Sequence, residues 1–228
     1  MFWRENDSDK PFQVPDDVVD VRFDIDCRHL PVDHSYALYA ALKDALPWLA
    51  GDPTIGVHSV HVAGSQNGWE RPEHGSDQHL VVSRRTKLTV RVSKERVDSL
   101  MDQLSGTTLD ISGCPMTIGQ GKIRPLSKDA TLFARYVVTG PADSEEQFLS
   151  WAADELGAID IRLRKALCGK DTPLATPGGT IRTRSLMLAD LSQEDSVRLQ
   201  QIGLGPHREM GCGIFIPHKG IDAVKKGP

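Results

Sequence analysis

The sequence predicts an α+β fold made of two tandem ferredoxin-like (RRM-like) domains, residues 1–127 and 128–228, each with the element order βαββαβ. Three observations carry that expectation. Short segments that alternate apolar and polar residues give way to apolar stripes at helical spacing. The order β-α-β-β-α-β is complete before a polar link, GQGKIRPLSKD (residues 119–129), and it is repeated after that link without any repeat in the sequence itself. A chain of 228 residues with 39% hydrophobic and 25% charged residues also has the size and balance of two ordinary soluble domains.

In the first half, VVDVRFDID (residues 18–26) alternates as a strand with one buried face should. A helix follows, with Asp33 as the expected N-cap and an apolar stripe through Ala37, Leu38, Ala41, Leu42, Ala45, Leu46 and Leu49. Pro47 and Gly51 bound its end. A short strand over residues 55–62, a polar loop to about Gln78 and a long strand over residues 79–92 come next. Ser93 is the expected cap of a helix reaching Leu104, and two short β segments lie near Leu109 and Met116.

The second half opens with the strand TLFARYVVT (131–139) and a helix from Ser144. IDIRLRKALCG (159–169) and TIRTRSLMLAD (180–190) read as strands separated by the Pro/Gly-rich turn TPLATPGGT (172–180). A helix capped by Ser192 and a closing strand at 213–216 complete the order.

The net charge of −4 conceals an asymmetry. Residues 1–30 hold eight acids against four bases, which accounts for the whole excess. Elsewhere the bases cluster: VVSRRTKLTVRVSKER (81–96) has six against one acid, and residues 159–186 carry Arg162, Arg164, Lys165, Lys170, Arg182 and Arg184. A local basic surface suited to nucleic acid is expected despite the acidic average. The four cysteines are widely spaced, so neither a disulfide framework nor a zinc site is indicated. MFWRENDSDK has no apolar signal region and no run approaches a membrane span, so a cytoplasmic protein with no membrane partner is expected.

Three groups of residues are candidates for chemistry. The glycine-rich stretch holding Gly203, Gly205, Gly211 and Gly213 follows a helix and precedes a strand, the reverse of a nucleotide-binding loop. Its glycines read as helix stop and turn, or as a close backbone approach to phosphate, with His207, Arg208 and Lys219 beside it. His34 stands at the first turn of the first helix and on its apolar stripe. It reads as a packed histidine capping the core, or as an imidazole kept neutral by the helix dipole and able to accept a proton. On the basic strand, alternation sends Arg85 and Lys87 to one face and Arg84 to the other; that strand reads as a charged edge or as a set of phosphate contacts. The histidines are not spaced as metal ligands, and no nucleophile motif occurs.

LPVDHSYALYAAL (30–42), SRRTKLTVRV (83–92) and above all GLGPHREMGCGIFIPHK (203–219) resemble the CRISPR-associated repeat-processing endoribonucleases, the Cas six family of the RAMP superfamily, and within it the Myxococcus-type (MYXAN) branch. The resemblance runs over residues 18–219. It implies a metal-independent enzyme without a cofactor that cuts precursor RNA at or beside the repeat hairpin. A first-helix histidine would assist attack of a ribose 2'-OH, leaving a 2',3'-cyclic phosphate and a 5'-OH. His34 matches that placement, with Tyr36 as its partner and Arg84, Arg85, Lys87, His207, Arg208 and Lys219 as RNA contacts. It also implies partners: CRISPR repeat hairpin RNA and other Cas proteins of an effector complex. Two alternatives stand beside it, an RNA-holding subunit of such a complex without catalysis, and a tandem RRM-like reader of single strands. The second is disfavoured by the lack of paired strand aromatics.

Overall fold

The alternation of β1 (Val18–Asp26) turns Val19, Val21, Phe23 and Ile25 to one face of a sheet and Asp20, Arg22 and Asp24 to the other. The structure, a computed structural model, describes residues 11–62, 78–140 and 142–218. β1 is flanked by β5 (Lys87–Ser93) and β7 (Cys114–Arg124), with β3 (Gly56–Val57) and β6 (Thr108–Ile111) at the edges. Every pairing in this five-stranded sheet is antiparallel. Helices α1 (Ser35–Ala45) and α2 (Val97–Leu104) bury Leu38, Leu42, Leu100 and Leu104 in one core with Val21, Phe23 and Val90. Each large side chain so buried contributes about 1.5–3 kcal/mol. A separate ribbon pairs β2 (His29–Pro31) with β4 (His79–Val81).

The C-terminal half repeats the plan with β8 (Leu132–Val138), α3 (Glu145–Ala158), β9 (Lys165–Thr176), β10 (Gly179–Ala189), α4 (Gln193–Ile202) and β11 (Phe215–Pro217). Its strands are ordered β11-β8-β10-β9, and Phe148, Leu156, Leu199 and Phe215 fill a second core. In both sheets the first and third strands of the βαββαβ unit sit at the centre. The chain is therefore two ferredoxin-like domains in tandem, as the element order predicts. Ser144 and Ser192 cap α3 and α4 as expected, accepting from the backbone N–H of Gln147 and Asp195. Among the described residues no helix is long and apolar enough to cross a membrane.

Several elements depart from expectation for physical reasons. The strand expected over 79–92 is two strands, because Ser83–Thr86 closes a turn through the Thr86 N–H to Ser83 carbonyl bond, 3.0 Å. Arg84 and Arg85 thus sit at an exposed turn tip, and Arg85 does not share a strand face with Lys87. Asp33 does not cap α1. Its carboxylate accepts from the Ala175 N–H of β9 at 2.7 Å, and His34 occupies the N-cap position without a side-chain bond to the helix's first turn. Ser93 likewise makes no cap bond, because a 3-10 turn (Lys94–Arg96) precedes α2. The expected link at 119–129 is strand as far as Arg124: Gly121 lies so close across Phe23 that a Cβ would fall 2.9 Å from the ring. β9 begins only at Lys165 and runs on through Thr176, leaving Pro177 and Gly178 as the turn.

Candidate nucleic-acid interface

Register places the outward residues of β1 among cations. Asp24, Arg22 and Asp20 lie opposite Lys87, Thr89 and Arg91 of β5, and Arg22 and Asp20 lie opposite Lys122 and Arg124 of β7. The helices occupy the other face, so these side chains project from the open side of the sheet. Arg22, Lys122 and Arg124 are exposed, and Lys87 is half-buried in an ion pair with Asp24. Together they line a shallow hollow of about 180 Å³. It adjoins a cleft of about 510 Å³ between the two halves, which shares Arg22 and Arg124 and is closed by Gln200, Ile216 and Pro217. Cations spaced along a strand face beside a cleft suit a phosphodiester backbone.

At the back of this cleft the sheet meets the second half. The Arg91 guanidinium is fully buried and holds the Asp20 carboxylate with two bonds, Nε at 2.7 Å and Nη2 at 3.0 Å. Its Nη1 donates to the carbonyls of Gln200 and Phe215, at 2.8 and 3.1 Å. Burial would raise the Asp20 carboxyl, but His58 and Arg91 beside it hold it well below the usual carboxylate range. His58 Nε2 lies 3.4 Å from Asp20 Oδ1. Burial pushes the pKa of that imidazole below its ordinary value, against the pull of Asp20.

The glycine-rich loop is packed against the protein itself. Gly203, Gly205, Gly211 and Gly213 all have positive φ, and Gly203 ends α4 with its N–H on the Leu199 carbonyl. A Cβ on Gly213 would stand 2.1 Å from the Leu204 carbonyl oxygen, and one on Gly211 would stand 3.2 Å from that of Val57. Arg208 lies under the loop. Its guanidinium donates to the carbonyl of Ile202, and burial, with Arg91 nearby, pulls its pKa down to about 10. His207 is half-buried beside Glu209, at 3.3 Å. Lys219 lies outside the described residues.

His34 is 2% exposed, and its ring bridges two segments of backbone. Nε2 accepts from the Val60 N–H at 3.1 Å, so Nδ1 carries the proton and donates to the Pro31 carbonyl at 2.9 Å. The imidazole is therefore a neutral, oriented ring. Tyr36 is half-buried and meets Tyr39 edge-on, with ring centroids 6.2 Å apart. α1 also touches β9 and the 3-10 turn Arg208–Met210, and Asp33, just ahead of it, accepts from Ala175 of β9, so the start of α1 lies where the two halves meet.

The expected contacts thus do not form one cluster. Lys87 joins the open sheet face, Arg84 and Arg85 stand at a turn tip, and Arg208 is turned inward. Arg22, Lys122 and Arg124, which share the open sheet face with Lys87, are not among the contacts expected from the sequence. The alternation of β1 already turns Arg22 outward, but reading 119–129 as a link hides the other two. Among the described residues no group of three or more His, Cys, Asp or Glu side chains is arranged to hold a metal. All four cysteines are free thiols, with Cys27 and Cys212 buried.

A family model described as Cas6 Crispr matches residues 19–220. The CRISPR-associated endonuclease Cas6 of Myxococcus xanthus (strain DK1622) is 31% identical over 199 residues, covering 87% of this chain and 81% of that protein. A solved structure described as CRISPR associated protein Cas6 superposes with a TM-score of 0.60 at 13% identity, over 89% of this chain and 100% of that one. A Cas6-related protein from Pyrococcus furiosus gives a TM-score of 0.61 at 13% identity, over 87% and 97%. A RAMP protein described as binding different RNA substrates gives 0.60 at 13%, over 87% and 98%.

Proposed function

Because this chain belongs to the Cas6 family, we propose that it is an endoribonuclease that binds CRISPR repeat RNA and cuts the precursor to mature crRNA. In the proposed reaction the ribose 2'-oxygen attacks the adjacent phosphorus and the P–O5' bond breaks. One proton leaves the 2'-OH and one is delivered to the departing 5'-oxygen, so the products are a 2',3'-cyclic phosphate and a 5'-OH without a metal in the step. The observation that carries RNA binding is the row of Arg22, Lys87, Lys122 and Arg124 along the open sheet face and its cleft. His34 is the proposed base and Tyr36 its partner. The neutral ring suits that role, and to take the 2'-OH proton Nε2 must exchange the Val60 N–H for the substrate.

We place the division between the two domains after residue 127, where Ser127 is gripped through its N–H and carbonyl by the Gln200 side chain. The chain stays on its product and, with other Cas proteins, forms part of an effector complex. The engagement of both His34 nitrogens favours a second reading, an RNA-holding subunit that does not cut. Incubating the purified chain with repeat RNA in EDTA separates the two. Cleavage that persists, leaves a cyclic phosphate, and is lost in His34→Ala while binding survives supports the enzyme; RNA bound tightly and left whole supports the second reading.

A further inference from the structure

Among the described residues, Arg91 is the largest side chain fully sealed from solvent. On one side its guanidinium belongs to the N-terminal sheet, through the two-pronged pair with Asp20. On the other it supplies a donor that the C-terminal half lacks. The last carbonyls of a helix have no partner within it, and Nη1 satisfies that of Gln200, near the end of α4, together with the Phe215 carbonyl of β11. Gln200 extends the circuit: its Nε2 donates to the Ser127 carbonyl at 2.7 Å and its Oε1 accepts the Ser127 N–H at 3.1 Å. One guanidinium thus fixes the sheet, the helix end, the closing strand and the connecting segment relative to one another. Asp20, Ser127 and Gln200 from this circuit line the cleft between the halves, beside Ile216 and Pro217 of the closing strand.

Stability alone is a poor reason for such a group. A buried ion pair scarcely repays its desolvation, and each half carries its own apolar core. We propose that Arg91 is a positioning residue that fixes the width of the cleft and thereby the affinity for RNA. This rests on the reading of the cleft and sheet face as the RNA site.

The test compares Arg91→Met, Arg91→Lys, the double variant Asp20→Asn/Arg91→Met and a lip variant, Arg22→Ala/Arg124→Ala, on the full chain. Unfolding midpoint, repeat-RNA Kd and single-turnover cleavage are measured for each. Arg91→Met is expected to weaken binding about tenfold while the cleavage rate at saturating RNA stays within about twofold. Lys is expected to rescue part of the affinity, since it keeps the charge beside Asp20 but cannot also span both carbonyls. The double variant removes the orphaned carboxylate, so its midpoint recovers while its affinity does not. Native affinity in the double variant, with affinity lost in the lip variant, overturns the role of Arg91 alone. Native affinity in the lip variant overturns the cleft as the RNA site, and this inference with it.

Discussion

His34 Nε2 accepts the backbone N–H of Val60, which ties the first turn of α1 to the segment that follows β3. The bond is buried, so cutting it leaves an unpaired amide whose desolvation costs about 1–3 kcal/mol. His34→Ala is therefore expected to lower the unfolding midpoint as well as to abolish cleavage. His34→Gln, whose amide oxygen can still accept from Val60, is expected to recover part of the midpoint and none of the cleavage. Recovered cleavage in His34→Gln would show that the histidine acts through structure alone.

Gly213 and Gly205 share a left-handed backbone but not their surroundings. A Cβ on Gly213 meets the Leu204 carbonyl at 2.1 Å, whereas on Gly205 the nearest neighbour is the Trp151 ring at 3.5 Å. Gly205→Ala should cost only the about 1–2 kcal/mol of backbone strain, and Gly213→Ala clearly more. Denaturant titration of both variants checks this. Equal losses would mean that the loop rearranges freely around an added side chain.

Arg208 spends its guanidinium on the Ile202 carbonyl, with that of Thr54 at the limit of reach, 3.5 Å. Arg208→Met, which keeps the packing, is expected to cost about 1.5–3 kcal/mol of stability and to leave RNA affinity per folded molecule within about twofold. A lowered affinity at an unchanged midpoint would instead restore the loop as a direct RNA contact.

The structure also explains which features the sequence disclosed. The caps at Ser144 and Ser192 and the facing of β1 are local rules, satisfied within three residues or one pleat, so they could be read directly. Asp33 obeys the same local preference, yet its carboxylate is taken by Ala175, 142 positions away, and no local rule reports such a competitor. Arg91 shares its facing with Lys87 and Thr89, which predicts an exposed cation. It is covered because α4 and β11 land on that end of the sheet, a fact of tertiary packing. The positive φ of the loop glycines was likewise foreseeable, but not that Leu204 and Val57 fill the space beside them.

The row of cations on the open sheet face predicts how binding responds to salt. For a single strand the slope of log affinity against log salt falls by about 0.7 per phosphate contact. Arg22→Ala, Lys122→Ala and Arg124→Ala should each weaken binding and make that slope shallower by about 0.7, whatever the sequence of the RNA. Filter binding across a salt series measures it. A weakened variant with an unaltered slope would mean that its side chain contacts a base or another part of the protein.

His58 and Asp20 predict the response to acid. His58 faces Asp20, Arg91 and Arg208, and burial holds its folded pKa below the about 6.5 of an unfolded histidine. In that interval the unfolded chain binds the extra proton, so stability is complete above about pH 6.5 and declines as the pH falls through the window. Asp20 has the same sign at lower pH: with its pKa depressed in the fold, its contribution holds above about pH 4 and is lost below. The wild-type unfolding midpoint should thus drop in two stages, and His58→Gln should remove the first while keeping the part of the second that Arg91 supplies. Urea titrations at pH 8, 6, 5 and 3.5 resolve the stages. A midpoint in His58→Gln that follows the wild type between pH 7 and 5 would assign the first stage to another group.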